Sequence, residues 1–119
     1  MWKIVVTDQF KEWYDRLTDP EAEAVTAVVD LLAELGPQLG YPYSSSIRQS
    51  RHSHMRELRV QHAGRPYRVL YAFDPQRTAV LLLGGEKTGD DRWYGRSVPE
   101  ADRLYDDYLI EMGQGRGRR

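Results

Sequence analysis

The chain has 119 residues, 40% of them hydrophobic and 29% charged, with a net charge of −1. That length and balance suit one folded domain with one sizeable core and exclude a disordered or fibrous protein. The absence of Cys excludes thiolate chemistry and Cys-based zinc sites, and no apolar run reaches the ~18 residues of a membrane span, so a soluble cytoplasmic protein is expected.

The N-terminal "MWKIVVTDQF" is too short an apolar stretch for a signal peptide and reads as a strand, "WKIVV". Asp8 or Thr7 then caps a helix with Phe10, Trp13, Tyr14 and Leu17 at i, i+3, i+4 and i+7. A second helix spans "TDPEAEAVTAVVDLLAELGP". Asp19 is its expected cap and Pro20 its first helical residue, Ala22, Val25, Val28, Val29, Leu32 and Leu35 form its stripe, and Gly36–Pro37 stops it. The two helices form a helical hairpin.

"GYPYSSSIRQSRHS" reads as a loop. Three strands are expected next, at about Met55–Gln61, Pro66–Phe73 and Thr78–Leu83, with turns at "HAG" and "DPQR". "GGEKTGDDRWYGRS" is irregular; it lacks the first Gly of a phosphate loop at the right spacing. "VPEADRLYDDYLIEM" is a last helix, with Pro99 near its start and Gly113 after its end. The expected organisation is one domain, residues 1–112, and a disordered basic tail, 113–119. The order β-α-α-β-β-β-α predicts an α+β fold: an N-terminal helical hairpin packed on a mainly antiparallel sheet, followed by a C-terminal helix.

Charge is unevenly spread. Residues 1–42 carry −5, residues 43–73 carry +5 with six arginines, and residues 74–119 carry −1. A basic island in an acidic chain suits a polyanion; equally, its arginines can pair with acidic helices across the fold. Strand alternation decides where they point. The greasier set, Leu58, Val60, Val69, Tyr71 and Phe73, belongs against the helices. Arg59, Arg68 and Glu57 then look out from the opposite, open face, with Arg59 opposite Arg68. Two arginines so placed need an anion between them. A phosphate suits the guanidinium forks, and the alternative is an Arg59–Glu57–Arg68 ion-pair cluster with no ligand. His52 and His54 have no third ligand at metal spacing, so no metal and no cofactor are expected.

"MRELRVQHAGRPYRVLYAFD" followed by "VLLLGGEKTGDDRWY" resembles the RelE/HigB-like toxins of bacterial type II toxin–antitoxin systems. The resemblance covers nearly the whole chain. It implies a RelE-like small ribonuclease fold, metal-free cleavage of mRNA, often on the ribosome, and a cognate antitoxin, commonly with a helix-turn-helix. Carried over by residue, Arg68 of "YRVLY" corresponds to the family's phosphate-binding arginine. Arg59 of "ELR" and Lys87 of "GGEK" correspond to basic positions, and Tyr94 to a tyrosine beside the scissile bond. The chain departs from members with paired lysines on the first hairpin strand, having Met55 and Glu57 there, and its segment after Lys87 is longer. The expected catalytic set is therefore Arg59, Arg68, Lys87, Tyr94 and Glu57. His54, Arg56 and Arg65 are the expected substrate-binding residues. For Tyr94 and Trp93, core packing is the alternative. ParE-like relatives, which share the fold and poison DNA gyrase without being enzymes, are the competing function class.

Overall fold

The structure, a computed structural model, describes residues 1–117. One five-stranded sheet runs through the molecule: β1 (Lys3–Val6), β2 (Ser44–Ser46), β3 (Arg56–His62), β4 (Arg65–Phe73) and β5 (Thr78–Glu86). Their spatial order is β1-β5-β4-β3-β2; β1 lies parallel to β5 and the other neighbours are antiparallel. The helices are α1 (Asp8–Asp15), α2 (Asp19–Leu35) and α3 (Trp93–Gly117). This is the expected α+β architecture, and among the described residues no helix is long and apolar enough to cross a membrane.

Local chemistry explains the helix starts. The Thr7 hydroxyl accepts from the Phe10 N–H at the head of α1. Thr18, not Asp19, caps α2: its side chain accepts from the Glu21 N–H while the Glu21 carboxylate accepts from the Thr18 N–H, a reciprocal capping box.

Helices α1 and α2 cover one face of the sheet. Phe10, Val25 and Leu32 there meet Leu58, Val60, Val69, Tyr71 and Leu81. The opposite face is not open. Helix α3 lays Trp93, Val98, Ala101, Leu104 and Tyr105 against Met55, Leu70, Ala72, Val80 and Leu82. Alternation thus divides the strands as expected, but both sets of side chains are covered.

Four assignments differ from expectation by more than one residue. Ser44–Ser46 pairs with β3 as an edge strand inside the presumed loop. Strand β5 continues through Gly84 and Gly85 to Glu86. Helix α3 begins at Trp93, so Pro99 lies inside it, where it removes one backbone hydrogen bond. Its end at Gly117 lies past Gly113, the expected stop. The last two residues of the tail expected to be disordered lie outside the described residues.

The two glycines of β5 are required by their neighbours. A Cβ at Gly84 would stand 2.2 Å from the Trp13 indole, and one at Gly85 would stand 2.4 Å from the Trp93 indole nitrogen. Each face of the strand therefore receives a tryptophan where no side chain projects, and Trp93 anchors the first turn of α3.

Candidate active site

Register places Arg59 opposite Arg68, as alternation requires. Both share the α3 side of the sheet with Glu57, which stands next to Ser45 of β2. Like charges opposite one another across strands repel, and Glu57 supplies the missing anion. Its Oε2 accepts from the Ser45 hydroxyl at 2.6 Å and lies 3.3 Å from Arg59 Nη1. Its Oε1 accepts from the Tyr94 hydroxyl at 2.6 Å and lies 3.4 Å from Arg68 Nε. Arg68 Nε also donates to the Tyr94 oxygen at 3.2 Å, and its Nη1 donates to the Tyr67 carbonyl at 3.0 Å.

Glu57 and Arg68 are each only 5% exposed. A carboxylate and a guanidinium so deeply placed require partners for every polar atom, and among the described residues no buried side-chain nitrogen or oxygen lacks one. The Arg59–Glu57–Arg68 ion-pair cluster therefore exists, built into the sheet and not displayed on an open face.

Helix α3 completes it. Trp93, lodged against Gly85, fixes the first turn, so the adjacent Tyr94 reaches the two charged side chains. Burial, reinforced by the hydrogen bond to Glu57, raises the Tyr94 phenol above the ordinary tyrosine value against the opposing pull of Arg68. Lys87, just past β5, puts its ammonium 5.7 Å from the centre of the Tyr94 ring. Arg59, Arg68 and Lys87 against Glu57 leave the cluster with a formal charge of +2. Such a group of fixed cations beside one protonated phenol can hold an anion and stabilise charge that grows on it.

Of the eight residues expected to act, the structure brings five together: Glu57, Arg59, Arg68, Lys87 and Tyr94. It does not bring the other three. Arg56 lies on the α1–α2 side of β3 with Leu58 and donates to the Ser44 and Ser46 hydroxyls at 3.0 and 3.1 Å. Arg65 pairs with Glu86 at 3.7 Å. His54 meets the Tyr105 hydroxyl at 3.5 Å, beside His52, which pairs with Asp106 of α3. Arg51 of the basic island also pairs with Asp106, so part of that island is spent on an acidic helix. Trp93 is core, 6% exposed.

Ser45, which holds Glu57, was not singled out by sequence reasoning, because nothing in "YSSSI" marks a strand. Among the described residues, no three His, Cys, Asp or Glu side chains gather as a metal-binding group.

Residues 12–106 match the family model described as phage derived protein Gp49-like (DUF891). Two proteins of Mycobacterium tuberculosis strain H37Rv are similar over nearly the whole chain. One, named "Putative toxin HigB3", is 40% identical over 114 residues, which are 94% of this chain and 98% of that protein. The other, named "Putative toxin HigB2", is 35% identical over 114 residues, again 94% of this chain but 57% of the longer relative.

Proposed function

The chain belongs to the RelE/HigB-like toxin family of type II toxin–antitoxin systems, in its Gp49-like branch, and from that premise we propose that it is a metal-independent endoribonuclease that cuts mRNA in the cytoplasm and so stops translation. The observation that carries this reading is the gathering of Arg59, Arg68, Lys87 and Tyr94 about Glu57.

RNA carries its own nucleophile, the 2′-hydroxyl. Cleavage requires that its proton be removed, that charge on the attacked phosphate be stabilised and that the leaving 5′-oxygen be protonated. Arg59, Arg68 and Lys87 act on the phosphate oxygens. Losing one preorganised donor of this kind costs about 2.7–4 kcal/mol. The Tyr94 phenol, kept protonated by burial and Glu57, is the acid for the leaving oxygen. Glu57 is the carboxylate acceptor within the cluster. Four donors already surround it, so its larger part is to hold both arginines and the phenol in place, and substrate must loosen at least one of these donors to reach it. In this reading a cognate antitoxin, commonly a helix-turn-helix protein, restrains the toxin, and the ribosome is one setting in which mRNA meets it.

The test is induction without antitoxin. Translation should stop first, with new mRNA 5′ ends inside coding regions. Arrest of DNA synthesis with mRNA left whole would instead identify a gyrase poison.

A further inference from the structure

The buried cluster accounts for a phosphate but leaves one conspicuous neighbour without a task. Tyr41, in the turn before β2, is 76% exposed, while its ring takes the Arg59 guanidinium at 5.0 Å from its centre. The same guanidinium lies 3.3 Å from Glu57. Arg59 therefore bridges the interior of the site and an aromatic ring standing in solvent. The turn is fastened to the strand that carries the cluster, because the Arg59 N–H donates to the Tyr43 carbonyl at 2.8 Å. Tyr43 is itself 44% exposed.

Burial of an aromatic ring is favourable and exposure of one this large is not. A tyrosine that gives up that burial beside an arginine has the two ingredients of a single-stranded nucleic-acid site: a cation for the backbone and a π-face for a base. The arginine covers one part of the ring, and 76% exposure leaves room for a planar group on the rest.

We propose that Tyr41 is a base-stacking subsite: the unpaired nucleobase next to the phosphate held by Arg59 and Arg68 lies on the Tyr41 ring. This rests on the ribonuclease reading and adds to it a binding residue for the flanking nucleotide. Stacking tolerates any base but favours the larger purine face, so Tyr41 would bias the cut site by base size and not by hydrogen-bond readout.

The experiment uses the whole protein in a bacterial translation extract programmed with a defined mRNA, with 5′ ends mapped and initial rates taken across mRNA concentrations. Wild type is compared with Tyr41→Ala and Tyr41→Phe. Tyr41→Ala should raise KM by about 5- to 150-fold, as loss of one stacked base does. It should keep kcat and lose the nucleotide bias at one position beside the cut. Tyr41→Phe should restore both. Unchanged KM and cut sites in Tyr41→Ala overturn the subsite while leaving the nuclease intact. A fall in kcat with KM unchanged also overturns it, because the ring would then act only by holding Arg59. Absence of cleavage by wild type in the extract overturns the ribonuclease reading and the subsite with it.

Discussion

Tyr94 and Glu57, 37 residues apart, share a 2.6 Å hydrogen bond that joins the first turn of α3 to the middle of the sheet. The phenol cannot be there unless α3 is docked, so the cluster and the second core form together. Tyr94→Phe keeps the ring and removes the proton. Cleavage should fall by about 10²- to 10⁴-fold, the range for loss of a general acid. The melting temperature should drop only modestly, because Arg68, Arg59 and Ser45 still hold Glu57. Single-turnover cleavage beside a thermal melt checks both. Wild-type cleavage by the phenylalanine variant would place the acid elsewhere.

Arg68 separates charge from geometry. Expected on an open face, it is 5% exposed and paired with Glu57. Arg68→Ala therefore removes one partner of a buried pair and should cost about 3–5 kcal/mol of stability, so its loss of toxicity alone would be ambiguous. Arg68→Lys retains the charge but loses the fork that serves Glu57, Tyr94 and the Tyr67 carbonyl together. It should fold and cleave about 10²- to 10³-fold more slowly. Full growth arrest by a folded Arg68→Lys would mean that only a positive charge is needed.

The sheet faces were legible in the sequence because alternation allows little else: Leu58 and Val60 cannot be buried without sending Glu57 and Arg59 to the other side. The same alternation puts Arg56 with Leu58, on the face away from Arg59, where it donates to the Ser44 and Ser46 hydroxyls. The second core was harder to see. Met55, Leu70 and Ala72 share the arginine face, and Val98, Ala101, Leu104 and Tyr105 give α3 a matching stripe, but two arginines among them suggested solvent. Strand β2 had no local signal; three serines become a strand only because β3 offers an edge. Glu57, Arg59 and Arg68 follow from alternation and register, Lys87 and Tyr94 from the family resemblance, and the contacts of Tyr94 with Glu57 and Arg68 depend on a helix start at Trp93 that Pro99 disguised.

Gly85 is a test of that helix start. An alanine there would press its Cβ onto the Trp93 indole nitrogen at 2.4 Å. Overpacking of this kind costs about 1–3 kcal/mol, and displacing Trp93 shifts Tyr94 with it. Gly85→Ala should lower both the melting temperature and the cleavage rate. Gly84→Ala, which presses on Trp13 of α1 instead, should lower stability and leave the rate per folded molecule close to wild type. Equal losses of rate in the two variants would show that the Trp93 contact does not position Tyr94.

Alkaline pH should unfold the protein through its tyrosines. The Tyr108 phenol is pushed up to about 12 by burial and by its hydrogen bond to Asp74, and burial raises Tyr94, Tyr105 and Tyr67 in the same direction. An unfolded tyrosine ionises near pH ~10. Between about 10 and about 12 the folded chain thus holds protons that the unfolded chain has released, and stability falls as pH rises through that window. Urea melts at stepped pH should show the decline, and Tyr108→Phe should lessen its slope. A flat profile up to pH ~12 would mean that these phenols ionise alike in both states.

Lys87 distinguishes chemistry from attraction. Any basic patch binds RNA more weakly as salt rises, so salt dependence decides nothing. Lys87→Met keeps the length of the side chain and removes its charge. If the ammonium beside Tyr94 acts on charge developing at the phosphate, the cleavage rate should fall strongly while RNA affinity changes little, because only stabilisation specific to the transition state is lost. The products should carry a 5′-hydroxyl and a 2′,3′-cyclic or 3′-phosphate, the marks of 2′-hydroxyl attack, and cleavage should persist in EDTA. Activity lost on chelation and restored by a divalent ion would replace the arginine–lysine mechanism with a metal-assisted one. Equal losses of affinity and rate in Lys87→Met would make Lys87 a binding residue, and normal cleavage by that variant would leave Arg59 and Arg68 as the only cations at the phosphate.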